Sequence, residues 1–324
     1  MSIGTVHSIC QSLLTDRRFS EGGARKHPPI LMDTLSQYFK VYNKFFWQEL
    51  WAIGGFKDEE TAHNVITKYL QGKEINSRHV AVTCCIALFN RFSEENIDPS
   101  EVKTSDASLK ALLKMYEYYK KSLQINSFSK QVDFSLLQQD AFNAIKNFAD
   151  SGKVFKHIII DEYQDTNAIQ EKLYFALACG SKNICVVGDD DQALYRFRGT
   201  TVENLVEFEY RCLKNIGAKP KRIDLDINYR SRKAIVDLYT HFIVQTDWKD
   251  PKKKDTHFRV HDKVIKSYST DVKSSVIVST KDKAENVYAE IAQLVADMKR
   301  TGKINDYNQC AFLFPNRNNT TDYN

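Results

Sequence analysis

The sequence predicts an α/β fold: a parallel sheet that carries a helical insertion and is followed by part of a second α/β domain. Three observations predict it. The apolar run Ile158-Ile159-Ile160 ends directly in Asp161-Glu162-Tyr163-Gln164-Asp165-Thr166-Asn167, and a second run, Ile184-Cys185-Val186-Val187, ends in Gly188-Asp189-Asp190-Asp191-Gln192. Parallel strands buried on both faces read as continuous apolar runs, and their carboxyl ends are where ligand chemistry collects. Between these strands and the N-terminus the periodicity changes to that of helices, with Ala62, Val65, Ile66 and Tyr69, then Leu109, Leu112, Tyr116 and Tyr119, recurring on one face. Beyond about residue 221 the strand-and-helix texture returns.

In chain order, residues 1–20 and 130–220 form the first α/β domain, still incomplete; 21–129 form the helical insertion; 221–324 form the front part of the second domain. The aromatic-rich stretch Tyr38-Phe39, Tyr42 and Phe45-Phe46-Trp47 is expected to supply core stripes of the insertion, with base stacking as the lesser reading. Ile158–Ile160 is expected to be a fully buried strand. From Val202 to Ile216, Leu205, Phe208, Cys212 and Ile216 share one helical face, and Gly217 with Pro220 beyond it stops the helix. In the last region Val276-Ile277-Val278 is a predicted strand, Val287, Ile291, Leu294 and Met298 mark a helix, and a final strand runs through Ala311-Phe312-Leu313-Phe314. Pro251-Lys252-Lys253-Lys254-Asp255 is a solvated loop, or alternatively a phosphate-contacting patch.

Length and composition bound the rest. A chain of 324 residues exceeds one core of ~100–150 residues, so about two domains are expected. The longest apolar runs fall far short of the ~20 residues that cross a bilayer, and no basic-then-apolar leader opens the chain. Seven cysteines without C-x-x-C spacing point to reduced thiols in a cytoplasmic setting rather than to a disulfide framework or a zinc site. A net charge of +5, from 46 basic and 41 acidic residues, permits a nucleic-acid partner without demanding one.

DEYQDTN, then VVGDDDQALYRFRGT, then Asn228-Tyr229-Arg230-Ser231, resemble the second, third and fourth motifs of the UvrD/Rep/PcrA group of superfamily 1 DNA helicases, and Thr5-Val6-His7-Ser8-Ile9-Cys10 resembles the family's early TFHS segment. The resemblance implies RecA-like, P-loop NTPase-type domains, ATP and Mg2+ as cofactors, and single-stranded and duplex DNA as partners. No stretch reads G-x-x-x-x-G-K-[ST], the loop whose amides and lysine hold phosphates. That loop lies upstream of TFHS in the family, and the family's later motifs lie beyond the last residues here. The expectation is therefore an interior piece of a helicase with little ATPase activity of its own.

By resemblance, Asp161 is the metal carboxylate and Glu162 the general base that orients the attacking water, a division phosphoryl transfer requires. An Asp-Glu pair elsewhere would be an ordinary solvated turn; the strand before it and the QDTN after it argue otherwise. Gln164 and Asp165 are expected to organise the loop rather than touch substrate. Gln192 matches the residue that senses the γ-phosphate. If Tyr195 to Arg198 is extended, Tyr195 and Phe197 project to one side while Arg196 and Arg198 project to the other. Tyr195 and Phe197 match residues that contact single-stranded DNA, and Arg198 lies on the face that can meet phosphates. In an arbitrary sequence the two rings would be core aromatics. Tyr229 would stack on adenine and Arg230 would act as an arginine finger in cis; the bland alternatives are an interface packer and a surface ion pair. His7 lies near the family's DNA path without a catalytic role.

Two functions of different classes stand on these residues. One is part of an ATP-dependent helicase that translocates on single-stranded DNA and unwinds duplex, for repair or replication, including the helicase-nuclease branch. The other is a non-catalytic remnant that binds single-stranded DNA.

Overall fold

The computed structural model describes residues 2–19, 27–126, 129–146, 148, 151–194, 201–249, 257–271, 273, 276–280 and 283–313. The chain is mixed α/β and forms two compact units, the first comprising Met1–Ile223 with Trp248–Asp262 and the second Asp224–Asp247 with Lys263–Asn324.

In the first unit, α1 (Val6–Thr15) leads to β1 (Ile30–Leu31) and then to five helices: α2 (Thr34–Tyr42), α3 (Lys44–Ile53), α4 (Glu59–Gln71), α5 (Arg78–Glu94) and α6 (Ala107–Ser122). β2 (Gln131–Val132) then pairs in parallel with β1, so the strands entering and leaving the helical stretch lie side by side at its base. Caps set the helix ends. Asp33, Asn43, Asp58 and Asp106 each accept backbone N–H groups of the first turn that follows, and Gly72 closes α4 at φ 74°. The helical periodicity is realised in part: Ala62, Ile66, Leu112, Tyr116 and Tyr119 are buried, together with Trp47, Leu50 and Phe89, whereas Val65 and Leu109 are half-buried and Tyr69 is exposed. Phe39 and Phe45 are not, at 59% and 74% exposed, so the aromatic stretch divides between core and surface.

α7 (Phe134–Lys146) packs against α1, α5 and α8 (Ala168–Ala178), and one continuous apolar core runs from Cys10 and Leu13 through α5 and α7 to Ile169 and Leu173. A polar knot is buried within it. Asp133 accepts the Tyr119 hydroxyl at 2.7 Å, Gln37 Nε2 at 3.1 Å and the Leu136 N–H at 2.8 Å. Burial nevertheless raises the Asp133 carboxyl above the usual aspartate range.

β3 (Ile158–Ile160) and β4 (Ile184–Val186) are a parallel pair in the register Ile158↔Ile184, Ile159↔Cys185, Ile160↔Val186. The expectation of a fully buried strand fails here. Ile158 and Ile160 turn toward the side packed by α8, whereas Ile159 is 76% exposed and Cys185 is exposed with it. An all-apolar run cannot distinguish a strand covered on both faces from one covered on a single face. The predicted helix over 202–216 is likewise two helices, α9 (Glu203–Val206) and α10 (Phe208–Ile216), broken at Glu207 (φ −95°, ψ 16°) and ended by Gly217 at φ 61°.

In the second unit, β5 (Ile227–Asn228) pairs in parallel with β6 (Lys266–Ser267), followed respectively by α11 (Lys233–Val244) and α12 (Ala284–Arg300). Val276-Ile277-Val278 is not a strand, and Ile277 and Val278 are 77% and 78% exposed. β-branched composition favours a pleated surface, but a strand needs a ladder partner, and among the described residues this run has none. Ala311–Leu313 is not a strand either, and Phe314 lies outside the described residues. On α12 it is Val295 rather than the predicted Leu294, 41% exposed, that turns inward.

Candidate functional site

The parallel pairing of β3 and β4 delivers two loops to the same edge. Beyond the ladder, Val187 N–H donates to Ile160 at 2.8 Å and Tyr163 N–H returns to Val187 at 2.9 Å, so the two loops leave their strands side by side. Asp161 and Glu162 follow at once, both exposed. Asp161 Oδ1 accepts the Glu162 N–H at 3.0 Å, and Glu162 takes the left-handed conformation, φ 51° and ψ 43°. Non-glycine residues rarely sit there, because the Cβ crowds the backbone carbonyl.

What fixes this turn lies beneath it. Tyr163 is fully buried, edge-on to Phe208 at 5.2 Å, and its hydroxyl donates to Glu171 Oε1 at 3.1 Å. Glu171, itself buried on α8, is held by both the Nε and an Nη of Arg211 on α10. Burial, with the Glu171 carboxylate beside it, pushes the Tyr163 phenol far above its ordinary value. Asn167 and Gln170 then close α8 with a reciprocal capping box.

Gln164 joins the two loops. Only 1% exposed, it donates from Nε2 to Glu162 Oε2 at 2.6 Å and accepts the Asp189 N–H on Oε1 at 3.1 Å. Gly188 makes room for it: a Cβ there would fall 2.7 Å from Gln164 Oε1. Asp189 in turn accepts Gln192 Nε2 at 2.7 Å and the Asp191 N–H at 3.1 Å. Glu162, Gln164, Asp189 and Gln192 thus form one hydrogen-bonded chain across both loops.

The acidic loop is pinned from a distant part of the sequence. Arg259 makes a two-point ion pair with Asp191, at 2.7 and 3.1 Å, with the two side chains 12% and 3% exposed, and the Val260 N–H donates to Asp190 Oδ2 at 2.7 Å. Sequence reasoning missed Arg259, and no spacing signal marks a partner 68 residues away.

His7 is on α1, edge-on to Phe134 at 4.8 Å with Gln138 Nε2 at 3.1 Å from its Nε2, and burial lowers its pKa so that the neutral imidazole is favoured. Tyr229 and Arg230 belong to the second unit, exposed at the end of β5, where Asn228 Oδ1 accepts the N–H groups of Arg230 and Ser231 at 3.0 and 2.8 Å. Tyr195, Phe197 and Arg198 lie outside the described residues.

The donor set fits a small hard cation that uses one or two carboxylates and keeps its other positions for water and phosphate. Asp161 Oδ2 and Glu162 Oε1 have no partner among the described residues, and each carboxylate is oriented by a hydrogen bond to its other oxygen.

Two carboxylates thus follow one parallel strand and are tied through a glutamine to the polar loop that follows its neighbour. The comparisons give the class directly. Residues 1–213 match the UvrD/REP helicase N-terminal domain, and the chain belongs to that family. It is 27% identical over 307 residues to DNA helicase II of Rickettsia typhi, covering 92% of this chain and 40% of that protein. Against the ATP-dependent DNA helicase PcrA of Staphylococcus epidermidis it is 28% identical over 263 residues, 79% of this chain and 33% of the relative. A probable DNA helicase II homolog of Rickettsia felis is 35% identical over 170 residues, 51% of this chain and 25% of that protein. The chain therefore spans between a quarter and two fifths of the length of these relatives. No described helix is long and apolar enough to cross a membrane.

Proposed function

We propose that this chain is the portion of an ATP-dependent DNA helicase that carries the hydrolytic carboxylates and the loop coupling them to DNA. The observation that supports the reading most is the chain Glu162–Gln164–Asp189–Gln192. It joins the residue proposed as general base to the residue proposed to sense the γ-phosphate, and Tyr195, Phe197 and Arg198, proposed to grip single-stranded DNA, follow within six residues of Gln192. Asp161 would hold Mg2+, which when bound with ATP neutralises phosphate charge. Tyr229 would stack on adenine, Arg230 would reach the γ-phosphate, and His7 would lie beside the DNA path. The architecture proposed is RecA-like, with residues 1–20 and 130–220 as the first domain, 21–129 as the inserted helical subdomain and 221–324 as part of the second. Because the sequence holds no phosphate-binding loop, the 324-residue chain is expected to bind DNA better than it hydrolyses ATP.

Stacking on single-stranded bases contributes ~1–3 kcal/mol per base without regard to sequence, and counterion release adds affinity that falls with salt. A fluorescence-anisotropy titration of a labelled oligonucleotide, at two salt concentrations, is expected to show micromolar, salt-sensitive binding that weakens when Tyr195 and Phe197 are both replaced by Ala. Equal affinities for the two folded proteins would overturn the DNA-grip assignment. DNA-stimulated ATP turnover matching an intact helicase's, and abolished by Glu162→Gln, would overturn the expectation that this chain alone is inactive.

A further inference from the structure

We propose that Tyr268 is the backing ring of the nucleotide-stacking surface formed by Tyr229, an inference that rests on the reading of Tyr229 given above. The pairing of β5 with β6 puts Asn228 opposite Ser267, and the Tyr268 N–H donates to the Asn228 carbonyl at 3.0 Å. Each tyrosine is therefore the first residue past the carboxyl end of one of two paired parallel strands, which is where open α/β sheets receive ligands. Their rings lie 4.8 Å apart between centroids and are tilted by 38°. Both side chains stand in solvent, 70% and 69% exposed. The Asn228 side chain, holding the N–H groups of Arg230 and Ser231, fixes the turn that presents Tyr229.

The rings already touch, so a base does not enter between them. It lies on the outer face of Tyr229 while Tyr268 supports the ring from behind, holding it at the angle a purine meets. The ligand class is the adenine of a nucleoside triphosphate. Tyr268 acts through Tyr229 and is a positioning residue.

The test uses the full 324-residue chain labelled with 3-fluorotyrosine, the signals of residues 229 and 268 being assigned from their Phe variants. ATP is the probe, with inorganic triphosphate as the control lacking a base and oligo-dT as the control for DNA bases. ATP is expected to shift the Tyr229 and Tyr268 fluorine signals, and triphosphate to shift neither. Tyr268→Ala should weaken the ATP-dependent Tyr229 shift roughly three- to tenfold in apparent Kd, from the loss of one aromatic pair. Tyr268→Phe, which keeps the ring, should stay within about twofold of wild type on the same argument. Tyr229→Ala should abolish the base-dependent shift of Tyr268. If Tyr268→Ala binds as wild type does while Tyr229→Ala loses binding, the backing role is wrong and the Tyr229 assignment stands. If ATP moves neither signal in the wild type, or only oligo-dT moves them, both assignments are overturned. Should Tyr268→Ala fail to fold, Tyr268→Leu takes its place, and an unchanged apparent Kd for the Tyr229 shift in that variant overturns the backing role.

Discussion

Glu162 carries its carboxylate on a left-handed backbone, which for a residue with a Cβ costs about 1–2 kcal/mol, and glycine is the one residue spared that cost. Deleting the side chain in two ways therefore separates strain from chemistry. Glu162→Gly is expected to be more stable than Glu162→Ala by about 1 kcal/mol in urea unfolding, and the reverse order would show that the turn is unstrained. A second residue links the core to pH. Asp133 has its carboxyl raised chiefly by burial, against the opposing hydrogen bonds from the Leu136 N–H and the Tyr119 hydroxyl. The stability associated with a raised acid is fully present below its unfolded value, 3.8, and is lost as pH rises through the higher folded value. The stability difference between wild type and Asp133→Asn should therefore shift in favour of the wild type as pH falls from 7 toward 4. A difference independent of pH across that window would mean the carboxyl titrates normally.

At the scale of elements, the ion pair between α8 and α10 sets the loop's footing. Arg211→Met leaves the buried Glu171 without its counter-charge and should cost about 3–5 kcal/mol, whereas the double change Arg211→Met with Glu171→Leu should recover much of the loss, because removing both charges removes the desolvation problem. Equal destabilisation by the single and double changes would refute this. Legibility in the sequence followed the same divisions. The loops at Asp161 and Gln192 were readable because each follows an apolar run, and the organising role expected of Gln164 is visible in its two hydrogen bonds. The exposure of Ile159, the break at Glu207 and the failure of Val276–Val278 to pair were not readable, since each depends on what lies opposite in space rather than on local spacing. Tyr268 was overlooked for the same reason: only the β5–β6 register brings it to Tyr229.

For the molecule as a whole, burial sorts the thiols. Cys179 and Cys185 are exposed, whereas Cys10, Cys84, Cys85 and Cys212 are buried, and burial pushes Cys10 up to about 12 and Cys212 up to about 11. Because the thiolate is the reacting species, a thiol reagent at neutral pH is expected to modify Cys179 and Cys185 rapidly and to reach the four buried thiols only on unfolding. Mass spectrometry after a brief exposure would expose the error if Cys10 or Cys212 were labelled first.

The return of Trp248–Asp262 to the first unit has a consequence in time rather than in space. The chain passes from the first unit to the second after Ile223, comes back at Trp248 and leaves again after Asp262. Asp191 is synthesised 68 residues before Arg259, so at ~5–20 residues per second the acidic loop waits roughly 3–14 s for its counter-charge to follow it off the ribosome. During that interval a carboxylate destined for burial stays in water, and the loop cannot settle around it. Completion of the Gln192 loop is thereby tied to translation of a segment well past the end of the family match at residue 213. A nascent chain stalled before Arg259 would display every residue of the proposed hydrolytic site without the clamp that holds its acidic loop in place.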